Sequence, residues 1–105
     1  MASYSAAVAV HKTTGVATVD TVTLTDNGSP IEVINRGTVD PLHGRAGLTP
    51  ANSVTDPTVG GDDTFVVPPG GVRTIKIPGA STGTDYVVKL IAASATAYSV
   101  QAGGQ

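Results

Sequence analysis

Alternation in this chain never runs far before a glycine or proline stops it. That punctuation restricts the fold to short strands joined by frequent turns. The 105 residues include 13 Gly and 7 Pro, set against 15 Val and 15 Thr, the β-branched residues that favour a pleated, half-buried surface. No segment carries a helical stripe. One domain's worth of chain with one modest core is the size expectation.

Val16-Ala17-Thr18-Val19 and Thr21-Val22-Thr23-Leu24-Thr25 alternate with the two-residue period of a half-buried strand. Asp26-Asn27-Gly28-Ser29-Pro30 then supplies turn chemistry, and Ile31-Glu32-Val33-Ile34-Asn35 reads as the return strand of a hairpin. From Gly37 to Asp63 the pattern dissolves, with room for one short, glycine-rich strand around Leu42–Leu48. Thr64-Phe65-Val66-Val67, Pro68-Pro69-Gly70-Gly71 and residues 72–77 read as a second hairpin, with Ile75 and Ile77 inward. Tyr86-Val87-Val88-Lys89-Leu90-Ile91 is apolar on both faces apart from Lys89 and is the candidate central strand. Residues 92–94 turn into a last strand in which Thr96, Tyr98 and Val100 share a face.

About seven short strands predict an all-β fold: a single antiparallel β-sandwich, immunoglobulin-like or jelly-roll-like. Residues 1–14 read as an N-terminal arm or edge strand, 15–102 as the sandwich, and 103–105 as a flexible tail. Tyr4, Ala6, Val8 and Val10 fall in one phase of the first segment. A long irregular stretch inside a small domain is more often functional than idle. Residues 49–63 and the first segment are therefore the expected contact regions, with Tyr4, Val8, Val10, Val54 and Val59 as the candidate interface residues. Deleting residues 1–12 is expected to leave a folded domain that no longer binds its partner.

The chemistry-bearing residues are sparse. A formal net charge of −2 gives no basic footprint for nucleic acid and no polybasic patch for a membrane. The absence of cysteine removes disulfides and thiolate metal sites. The only early basic residue, Lys12, follows the first apolar segment rather than preceding it as in a signal peptide, and no apolar run is long enough to span a bilayer. His11 and His43 have no neighbouring carboxylate in sequence, and Asp62-Asp63 reads as a solvated turn rather than a metal site. There is no G-x-S-x-G elbow, no phosphate loop, and Glu32 is the only glutamate. The expectation is a chain without enzymatic activity, cofactor or metal. Three Tyr, one Phe and no Trp leave little aromatic surface for stacking sugars.

The order of these pieces resembles a recurrent type of small all-β virion protein of tailed bacteriophages, of the minor capsid or head-decoration kind. The resemblance runs from Val22 to Val100. It rests on Asn35-Arg36-Gly37-Thr38 closing one strand, Pro41-Leu42 opening the next, the Phe65-Val66-Val67-Pro68-Pro69-Gly70-Gly71 segment, and the closing pair at residues 87–91 and 95–100. It implies a structural protein made in the host cytoplasm and located on the capsid surface of the virion. Its expected partners are the major capsid protein and further copies of itself. A head-tail connector or tail-associated virion protein is the alternative within that class. A β-sandwich that binds host-surface carbohydrate is the alternative outside it.

Overall fold

The alternating segments close into two facing sheets in a computed structural model whose described residues are 2–25, 30–62, 64–76 and 85–102. The strands are β1 (Ala2–Ala6), β2 (Ala9–Thr13), β3 (Asp20–Leu24), β4 (Ile31–Asn35), β5 (Leu42–Leu48), β6 (Phe65–Val67), β7 (Val72–Ile75), β8 (Tyr86–Ile91) and β9 (Ala97–Ala102). One sheet has the order β1-β3-β8-β5-β6 and the other β2-β9-β4-β7. Ala51–Ser53 forms a short 3-10 turn.

The all-β sandwich is therefore the fold, and its topology is that of a jelly roll. β2 with β9, β3 with β8, β4 with β7 and β5 with β6 are nested antiparallel pairs. They amount to one long hairpin wound over two sheets, the arrangement that defines a jelly roll. β1 lies outside this nest and pairs parallel with β3, a departure from the expected purely antiparallel sandwich. The chain reverses twice between these strands, once into the second sheet and once back, so it returns in its original direction.

The two expected hairpins and the closing pair are corrected in the same way. β3 and β4, β6 and β7, and β8 and β9 each lie in opposite sheets. The connections at 68–71 and 92–96 are arches over the core. Turn residues specify that the chain reverses, not which sheet receives it, and an arch buries the same apolar faces as a hairpin. The turn at 26–29, Ile77, Asp63 and the tail 103–105 lie outside the described residues. Among consecutive strands, only β5 and β6 pair with each other. Residues 16–19, expected as strand, lie outside the strands, and a tight turn at 16–17 gives Ala17 a left-handed φ of 48°. Residues 2–13 instead supply two edge strands, one to each sheet.

Between the sheets lie Val22, Leu24, Leu42, Val88 and Leu90 from one side and Ile31, Val33, Tyr98 and Val100 from the other, all at 0% exposure. Each such side chain contributes about 1.5–3 kcal/mol by leaving water. β8 sits in the middle of its sheet and is buried along its whole length, as its unbroken apolar run predicts. One polar pair crosses this core: the Tyr98 hydroxyl donates to Asp20 Oδ2 at 2.8 Å. Burial raises the Asp20 carboxyl above its ordinary range, against the stabilising hydrogen bond from Tyr98. Burial, followed by the bond to Asp20 and its charge, also raises the Tyr98 phenol.

The glycines of β5 have a packing reason. A Cβ at Gly44 would fall on the Phe65 ring and within 2.8 Å of Leu90 Cδ2. A Cβ at Gly47 would lie 2.9 Å from Val54 Cγ2. Each face of this strand thus leaves a gap that a side chain from elsewhere fills, Phe65 from β6 and Val54 from the long connection.

Candidate functional site

Four connections meet at one end of the jelly roll: residues 14–19, 36–41, 68–71 and 92–96. Asn35, at 0% exposure, binds two of them together. Its Nδ2 donates to the carbonyls of Asp40 at 2.9 Å and Val67 at 3.0 Å, and its Oδ1 accepts from Gly37 N–H at 2.8 Å. Its backbone donates to the Gly71 carbonyl and accepts from Gly70 N–H, both at 3.0 Å. Asn at the end of an apolar strand with glycine two residues on is an Asx-turn signal, which the sequence carries as Asn35-Arg36-Gly37.

The other two connections are joined by threonines. Thr14 N–H donates to the Thr96 carbonyl at 3.0 Å, and Thr96 N–H donates to Thr14 Oγ1 at 3.2 Å. Ala17 N–H reaches the Ala92 carbonyl at 3.0 Å. The Ser94 hydroxyl donates to the Asp40 carboxylate and so links the two halves of the network. Buried polar groups that are fully paired fix a single arrangement, because loosening any of them leaves a desolvated partner.

This knitted end holds apolar side chains out in solvent. Val16 is 68% exposed and Val39 78%, the highest values among the exposed large hydrophobic residues. Val66 on β6 and Val72 at the start of β7 flank the same end at 42% and 56%. These four side chains are the candidates for an interaction surface, since apolar side chains gathered at one place serve binding more often than those scattered singly. None of these four was a candidate from the sequence. Val39 stands in an irregular, glycine- and proline-punctuated stretch where alternation gives no inward direction, and Val16 alternates like a strand residue.

The expected interface residues separate into buried and exposed groups. Val10 and Val54 are buried, at 5% and 6% exposure, and offer no side chain to a partner. Tyr4 is half-buried against the core, with Lys12 Nζ 5.0 Å from its ring centre. Val8 and Val59 are exposed, at 47% and 44%, at the opposite end of the sandwich from Val16 and Val39. Residues 49–57 are anchored to their own domain at three points: Val54 and Pro57 are buried, and Asp56 pairs with Lys89 Nζ at 2.8 Å.

His11 Nδ1 lies 2.7 Å from Ser99 Oγ, while His43 is buried with its Nδ1 unpaired. No group of three or more His, Cys, Asp or Glu side chains converges to hold a metal ion among the described residues. No helix among them is long and apolar enough to cross a membrane.

The fold and this surface define a small jelly-roll module with an apolar end held rigid by buried hydrogen bonds. No protein-family model, curated protein or solved structure matches the chain.

Proposed function

We propose that this chain is a structural virion protein that binds the outside of an assembled bacteriophage capsid and decorates or stabilises it. The observation that carries the reading is the knitted end, where Val16 and Val39 stand at 68% and 78% exposure on backbone fixed by buried hydrogen bonds. A rigid apolar surface binds a preformed surface without an ordering cost. Jelly rolls serve in viral capsids and also in lectins, so the fold supports the reading by analogy while the surface gives it a mechanism. One domain lying across two shell subunits would bind their assembled form better than either alone, which stabilises the junction. Repetition around a symmetric shell then supplies many such contacts. In this reading there is no catalytic step, and the knitted end replaces residues 1–12 and 49–63 as the contact region.

The test is copy number. Particles from a lysate producing this chain are purified, and the chain is quantified by mass spectrometry against the major shell protein. A near-stoichiometric ratio is the expected result, and Val39→Ser should lower it. A handful of copies per particle would support the connector or tail alternative. Absence from particles would overturn the virion reading and direct attention to sugar binding.

A further inference from the structure

β5 has seven residues and β6 beside it only three, so their ladder stops at the pair of Gly44 with Phe65. Backbone groups on an antiparallel strand alternate between its two sides. Thr49 N–H donates to the Asp85 carbonyl at 3.0 Å, continuing the register in which Leu48 lies opposite Tyr86. Ala46 and Leu48 therefore direct their N–H and C=O groups away from β8, towards the side that β6 has left. Ser53 Oγ donates to the Leu48 carbonyl at 3.0 Å. The Leu48 N–H and both groups of Ala46 have no strand beside them among the described residues.

Two open hollows adjoin this edge and share Arg45 and Ala46. One, of about 570 Å³, continues over Leu48 and Val54; the other, of about 390 Å³, runs between Phe65, Arg73 and Ile75. Arg45 and Arg73 are the only charged residues lining either hollow among the described residues. Neither takes part in the Lys89–Asp56 ion pair, the one salt bridge among them. The edge thus offers backbone donors and an acceptor, partly apolar walls and two guanidinium groups that belong to no salt bridge among the described residues. An extended segment can join a sheet through such an edge, gaining affinity from main-chain hydrogen bonds and specificity from the neighbouring side-chain sites. Guanidinium groups add preference for a carboxylate.

We infer that residues 46–48 of β5 receive an extended segment of another protein as a short added strand, with an acidic side chain of that segment held between Arg45 and Arg73. The site lies on the side of the sandwich, apart from the valines at the knitted end. It stands whether or not the chain is found in particles.

The probe is the blocked peptide acetyl-TVDVTVT-amide, titrated into isotope-labelled full-length protein and followed by NMR. Its binding should slow solvent exchange of the Ala46 and Leu48 amides at least about tenfold. Arg73→Glu and Arg45→Glu, both on solvent-accessible positions, should keep the folded spectrum and weaken binding at least about tenfold. Equal binding of acetyl-TVKVTVT-amide would overturn the acidic preference. Protection mapping to β7 or β1, or no binding up to the peptide's solubility limit, would overturn the site. A dimer of the protein alone with Ala46 and Leu48 protected would make a second copy the occupant and overturn the hetero-partner.

Discussion

The two ends of the sandwich carry the chain between strands with different materials. At the knitted end the connections are short, and polar groups hold them: the buried Asn35, Thr14 and Thr96 and the partly buried Ser94–Asp40 contact. At the opposite end residues 49–62 are held chiefly by insertion, with Val54 filling the gap at Gly47, Pro57 buried, and a half-exposed Asp56 reaching Lys89. The difference predicts how each end fails. A buried hydrogen-bond network loses its partners together, since each broken bond leaves another group desolvated. An inserted side chain can be trimmed, and the loss follows its volume.

The largest effect should come from Asn35→Ala. It strands the carbonyls of Asp40 and Val67 and the N–H of Gly37, and should cost at least about 3 kcal/mol in urea unfolding. A cost under about 1 kcal/mol would mean that water replaces these bonds and that the two ends do not differ in kind. Val54→Ala is next, at about 1–2 kcal/mol. It should speed proteolytic cutting within 49–62 while leaving amide exchange at residues 36–41 unchanged. Acceleration at both ends would show that they are coupled. The smallest effect is a gain: Ala17→Gly relieves the left-handed φ of 48°. The greater freedom of glycine in the unfolded chain offsets part of that relief, leaving about 0.5 kcal/mol measured as a raised Tm.

The sequence made the strands legible where apolar alternation or an unbroken apolar run was strong, as in Ile31–Asn35 and Tyr86–Ile91. It misled where local chemistry is indifferent to the tertiary choice. Pro68-Pro69-Gly70-Gly71 reverses the chain equally well in a hairpin or an arch, and only the pairing of β6 with β5 and of β7 with β4 decides. Residues 16–19 alternate like a strand, yet the chain turns at 16–17, where Ala17 bonds to Ala92. The candidate surface was less legible than the fold. Val10 and Val54 look uncommitted in sequence because the partners that bury them are distant along the chain. Gly47 was a visible sign that something must fill β5's outer face, but it did not say that Val54 would do so.

The nested pairing also has a consequence for the order in which the molecule can assemble. β9 lies between β2 and β4, and without it β2 has no neighbour in its sheet and β4 is left with β7 alone. Asp20 and Arg36 likewise wait for Tyr98 to complete their hydrogen bonds. As the polypeptide leaves the ribosome, β2 must remain without its native partner, and β4 without one of its two, until β9 emerges. Pairing between distant segments is slow to form and exposes strand edges meanwhile. A nascent chain of this design therefore depends on something other than its own native sheets, whether low charge-segregation, frequent proline and glycine or a chaperone, to keep those edges from pairing with a neighbour's.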